Sequence, residues 1–66
     1  MTFGEKLKEA RLKLGMSQAA VADLAGTTGN TYGNWERDVS EPSFFDACCV
    51  AQVLGLSLNC LAGWED

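Results

Sequence analysis

Apolar residues recur along this chain at helical spacing, and short polar or glycine-bearing breaks divide them into five blocks. Thr2 opens the first, and Phe3, Leu7, Ala10 and Leu14 fall on one stripe, which predicts a helix over about residues 2–14 ended by Gly15. Glu5 stands three residues after Thr2, the spacing of a capping box, in which hydroxyl and carboxylate each accept the other residue's backbone N–H. Ser17 is a good cap for a second helix, whose small groups Val21, Ala22 and Ala25 share a face. Gly26 follows, and glycine readily takes the left-handed backbone that ends a helix and turns the chain. Thr28 caps a third helix in which Tyr32 and Trp35, three apart, bury against the second. Its opposite face carries Gly29, Asn30, Gly33 and Asn34, with no charge and no large hydrophobe. Pro42 and Ser43 begin a fourth helix, with Asp46 at capping-box spacing and a stripe of Phe44, Ala47, Val50, Ala51 and Leu54. Gly55 ends it and Leu56 packs inward. Ser57 caps a last short helix, Leu58–Ala62, followed by Gly63. The class is all-α, with a helix-turn-helix at about residues 17–37.

Length confines this pattern to one domain, residues 1–66. A chain so short buries only about 60% of its unfolded surface, so its stability is modest. A hydrophobic content of 47% is that of a globular chain. No apolar run approaches the roughly 20 residues of a membrane span, and the first 15 residues, amphipathic and partly acidic, are neither a signal nor a transit peptide. A cytoplasmic protein without membrane contact is expected. The cysteines, Cys48, Cys49 and Cys60, are odd in number and two are adjacent, which makes a poor disulfide framework. They are read as ordinary buried or half-buried thiols rather than redox sensors. With no histidine and no CxxC spacing, no metal is expected. There is likewise no nucleophile elbow and no phosphate loop, so the chain is read as a non-enzyme without cofactor.

Charge changes the picture twice. A net charge of −4 at first argues against nucleic acid as a partner. Yet the five bases, Lys6, Lys8, Arg11, Lys13 and Arg37, all precede residue 38, whereas Asp38, Glu41, Asp46, Glu65 and Asp66 follow with no base among them. A chain so polarised can turn one face to phosphate and keep its acids on the far side. On the third helix, Asn30 and Asn34 lie four apart and share a face. An amide offers a donor and an acceptor together, the pair that reads an adenine edge in the major groove.

Gln18 after Ser17, Gly26 in the turn, the run Asn34–Arg37 (NWER), Pro42 and the ending from Val53 to Gly63 (VLGLSLNCLAG) together resemble the lambda-repressor-like (Cro-type, XRE-family) helix-turn-helix domain of phage repressors. The resemblance covers about Phe3 to Gly63. It implies a compact five-helix domain that binds a palindromic double-stranded operator as a homodimer and regulates transcription, with the third helix in the major groove. It further implies base contacts at Gly29, Asn30 and Asn34, with Thr28 near the backbone or a thymine methyl. Gln18 falls on a position that touches phosphate and steadies a side chain of the recognition helix. Read from the residues, backbone contacts are expected at Tyr32, whose hydroxyl at the rim of the core would reach a phosphate or water, at Arg37, and at Ser40, whose hydroxyl would help grip the backbone where the loop lacks bases. An Arg11–Glu36 ion pair is implied as a lock between helices. Leu58, Leu61 and Trp64 fall where such domains often meet their two-fold partner, or else fold back on the first helix.

Three departures bear on affinity. Gly29 stands where a long polar residue is usual, and Gly29 and Gly33 each weaken a helix by up to about 1 kcal/mol relative to alanine. The glycines either permit close approach to the DNA or leave few side chains to reach bases, in which case specificity rests on Asn30, Asn34 and DNA shape. Tyr32 is larger than the usual aliphatic residue. Asp38, Val39, Ser40 and Glu41 replace the glycine and bases common in that loop, and both acids would repel a phosphate. Weak intrinsic affinity and a shallow salt slope are expected. The acidic loop and the apolar end also support an alternative: a protein-interaction module of the same fold with weak or lost DNA binding.

Overall fold

Five hydroxyl side chains start five helices. In the computed structural model, which describes residues 1–63, the helices are α1 (Phe3–Lys13), α2 (Gln18–Ala25), α3 (Gly29–Glu36), α4 (Phe44–Leu54) and α5 (Leu58–Ala62). Thr2, Ser17, Thr28, Ser43 and Ser57 are their N-caps, each accepting the N–H of the third helical residue. Such a cap contributes typically about 1 kcal/mol. Thr2 and Glu5 form both halves of their capping box, and Ser43 makes the serine half of its own with Asp46. Gly26 (φ 78°) and Gly55 (φ 70°) end α2 and α4 in the left-handed region.

The second and third helices pack on one another, α2 also lies against α4, α1 against α3, and α5 closes the end of the body between α1 and α4. Leu7, Val21, Tyr32, Trp35, Val50 and Leu54 form the centre of the core. Tyr32 and Trp35 meet edge-on, ring centroids 6.1 Å apart at 75°, a favoured aromatic geometry. Lys6 Nζ donates to the Cys60 carbonyl at 2.7 Å and so caps the end of α5. All three thiols are free and half-buried. Among the described residues, no helix is long and apolar enough to cross a membrane.

Two stripe positions depart from the helical pattern. Leu14 is 53% exposed because α1 stops at Lys13 and Leu14, its C-cap, lies past the last turn that faces the core. Phe44 is 77% exposed. It is the first residue of α4, and the stripe turns inward only from Ala47 onward, where α2 and α5 lie opposite. Phe44 instead flanks an open groove shared with Phe3, Pro42 and Leu58.

Candidate nucleic-acid interface

The turn between α2 and α3 follows from its backbone bonds. Thr27 N–H donates to the Ala22 carbonyl (2.9 Å) and Gly26 N–H to that of Asp23 (3.2 Å), the paired closure of a Schellman motif with glycine in the left-handed position. Thr28 then accepts from Thr31 N–H, and its hydroxyl donates to the Thr31 hydroxyl. These bonds fix the angle at which α3 leaves α2.

Beneath α3, Arg11 Nε donates to Glu36 Oε2 at 2.6 Å and Nη2 to Oε1 at 3.1 Å. The third guanidinium nitrogen, Nη1, donates to the Met16 carbonyl at 2.9 Å. The two side chains are 11% and 2% exposed, so the pair is an internal fork joining α1 to the end of α3. Gln18 Nε2 adds a bond to Glu36 Oε1 at 3.0 Å. Gln18 therefore steadies Glu36 at the close of α3.

Tyr32 corrects an expectation. It is 0% exposed, and its hydroxyl is buried beside the Arg11–Glu36 pair rather than standing at the rim, so it cannot reach a phosphate. Trp35 and Leu7 occupy the same core, and the ring turns fully inward to pack edge-on against Trp35. The hydroxyl lies near enough to the Glu36 carboxylate to feel its charge, yet among the described residues none meets it in hydrogen-bond geometry.

These surroundings set two proton affinities. Burial alone pushes the Glu36 carboxyl up, but bonds from Arg11 and Gln18, the nearby Tyr32 hydroxyl and the Arg11 charge outweigh it and hold it below its ordinary value of 4.5. Burial, and then the Glu36 charge, raise the Tyr32 phenol above its ordinary 10.0. Glu36 thus contributes stability above the unfolded carboxyl pKa, lost as pH falls through the lower folded value. Tyr32 contributes stability that is full below the unfolded phenol pKa and is lost as pH rises toward the folded one. Unfolding free energy measured by urea titration is expected to be flat from about pH 5 to about pH 9 and to fall at both ends. Tyr32→Phe should flatten the alkaline limb; an unaltered limb would show that another group causes it.

The outer face of α3 presents Thr28 and Asn30 exposed and Asn34 half-buried. Arg37, exposed at the end of the helix, donates through Nη2 to Asn34 Oδ1. Gly29 is half-buried, and a Cβ there would meet only Ala19 Cα at 3.8 Å. Gly33 is buried, not part of the open polar face, because the side chains of Gln18 and Arg37 cover it. Ser40 is exposed in the loop beyond.

Asp38 is a second correction. It has φ 58°, and Asp38 and Val39 N–H donate to the Trp35 (3.2 Å) and Asn34 (3.0 Å) carbonyls, so it ends α3 in the left-handed position that glycine usually holds. Its carboxylate turns away from α3, accepting from the Thr2 hydroxyl at 2.7 Å and from Gly4 N–H at 2.9 Å at the positive end of α1. It is an anchor tied to the start of α1, not a loose acid of the loop. Glu41 remains exposed. Sequence reasoning also missed Gly4, where a Cβ would lie 2.2 Å from the Glu36 carbonyl oxygen and 2.6 Å from that of Trp35. A glycine at the second position of an otherwise well-capped helix was the available signal. Of the apolar end, Leu61 is buried in the core and Leu58 is partly exposed, while Trp64 lies outside the described residues. Leu61 is thus a fold-back residue and offers no free contact to a partner.

An all-helical body with a capped, fork-braced helix-turn-helix defines the class, and comparisons agree with it. A helix-turn-helix family model (HTH_3) matches residues 7–59, and the chain belongs to that family. It is 37% identical over 59 residues to the SPbeta prophage-derived uncharacterized HTH-type transcriptional regulator YonR of Bacillus subtilis (strain 168), covering 89% of this chain and 55% of that protein. It is 30% identical over 66 residues to the HTH-type transcriptional regulator ImmR of the same organism, covering 100% of this chain and 52% of that protein. The chain thus spans about half the length of the curated relatives it matches. Its fold is similar to that of the P22 c2 repressor protein, solved in complex with a synthetic operator, with a TM-score of 0.90, 28% identity and 92% of each chain covered.

Proposed function

We infer that this domain binds double-stranded DNA sequence-specifically and regulates transcription in the manner of a repressor, with α3 laid in the major groove. One observation carries the reading: α3 turns Thr28, Asn30 and Asn34 outward, uncharged and able to hydrogen-bond, while Tyr32, Trp35 and Glu36 fix it rigidly from beneath. Phosphate contacts position such a domain and base contacts specify. Asn30 and Asn34, with Gly29 allowing close approach, are the base readers in this proposal. Gln18 at the start of α2, Thr28, Arg37 and Ser40 grip the backbone. That the P22 c2 repressor, so similar in fold, is solved with an operator supports this reading. A two-fold operator, with half-sites about 34 Å apart, would take two copies. The exposed Leu58 beside the apolar groove is where we place the dimer contact. Residues 1–66 form the DNA-binding unit in this reading, acting on DNA in the cytoplasm.

Selection of bound sequences from a random double-stranded pool tests it. A palindromic consensus is expected, with tighter binding at low salt and a shallow salt slope, because Arg37 is the one base in residues 37–43. Asn34→Ala should lose about 1–3 kcal/mol of discrimination at one base pair per half-site. The second reading, a protein-interaction module, is favoured by the open groove lined by Phe3, Pro42, Phe44 and Leu58. Absence of DNA binding even at low ionic strength, together with a tight protein partner, would establish it instead.

A further inference from the structure

The geometry points to Arg37 as a positioning residue that sets which way the Asn34 amide faces, and so which base edge it reads; this rests on the DNA-binding reading above. Arg37 Nη2 donates to Asn34 Oδ1. A guanidinium has only donors, so the amide carbonyl must point toward it. The amide NH2 is then turned away from Arg37. The guanidinium also borders Gly33. Its Nη1 lies 3.4 Å from where a Gly33 Cβ would be, and Gln18 Oε1 lies 3.5 Å from the same point. Arg37 and Gln18 therefore both border the bare surface of Gly33. A side chain longer than alanine there would displace the guanidinium. Gln18 is itself held by Glu36, so one border of that surface is fixed to the buried fork. An amide held this way leads with a donor. It favours a base whose major-groove edge offers an acceptor at that point, a purine N7, guanine O6 or thymine O4, and disfavours cytosine, which offers the N4 donor. In this role Arg37 does more than supply charge to a phosphate.

The test compares the whole chain with Arg37→Ala and Arg37→Lys, each confirmed folded by circular dichroism. Two measurements are made: selection from a random double-stranded DNA pool, and the NMR resonances of the Asn34 side-chain NH2 without DNA. For the unaltered chain, an acceptor-bearing base should be enriched at one pair per half-site. In both variants that preference should fall by about fivefold or more, while other positions keep theirs. Arg37→Lys should retain the salt slope, because it keeps the charge, and still fail to restore the base preference, because a lysine ammonium lacks the planar fork. The NH2 resonances should shift in both variants. Uniformly weaker binding with unchanged base preferences, or resonances that do not move, overturns the role of Arg37 and leaves the DNA-binding reading standing. An unaltered chain that selects no sequence overturns that reading, and this inference with it.

Discussion

An Arg11→Ala variant is expected to lose about 3–5 kcal/mol of unfolding free energy, because it strands the Glu36 carboxylate in the interior. The Glu36 side chain is 2% exposed and accepts two bonds from Arg11, leaving Gln18 Nε2 as the one remaining direct donor among the described residues. The Met16 carbonyl loses its donor as well. Native domains hold only about 5–15 kcal/mol of net stability, and a small one sits toward the low end. The variant should therefore be largely unfolded at moderate urea concentrations that leave the parent folded. Replacing both partners by apolar residues of similar size, Arg11→Met with Glu36→Leu, should recover most of the loss, since no buried charge is left unpaired. That double variant lacks the anchor for Gln18, so we expect it to be folded but weakened in DNA binding. A parent-like unfolding curve for Arg11→Ala would count against the fork as the lock between α1 and α3.

Gly4→Ala is expected to be about as damaging. At this point the first turn of α1 crosses the end of α3 so closely that a methyl group would sit 2.2 Å from the Glu36 carbonyl oxygen. The obstructing atoms are backbone, so one helix must move rather than a side chain swing aside. Overpacking ordinarily costs about 1–3 kcal/mol, and a clash of this depth belongs at or above the top of that range. The shift would also strain the Asp38 bond to Gly4 N–H and the fork next to it. Gly33→Ala is the control. There a Cβ meets only side-chain atoms, at 3.4 and 3.5 Å, and alanine's better helix propensity adds up to about 1 kcal/mol. Thermal unfolding of the two variants should move in opposite directions.

The helices were legible because their signals are local. A hydroxyl at each start and a glycine after α2 and α4 act within a turn of where they stand, and each cap is found where the sequence places it. Tyr32 was half legible: its spacing from Trp35 showed that it faces inward, but the depth of its hydroxyl depended on how closely α1 approaches. Phe44 misled because it continues a correct stripe past the edge of the core, where no helix stands opposite. Asp38 was misread because its type announces a charge while its conformation makes it a helix terminator. Its two partners lie 34 and 36 residues away, beyond the reach of any pattern in a short window.

The chain by itself determined the number, order and starting caps of the helices, the turn at Gly26 and the amide-bearing face of α3, because caps, periodicity and turn chemistry are short-range interactions written in neighbouring residues. Only the tertiary structure decided which acid anchors a helix, which glycine must stay bare and which hydroxyl is buried. Those outcomes turn on the distance between helices far apart in sequence, and that distance is set by the packing of the whole core.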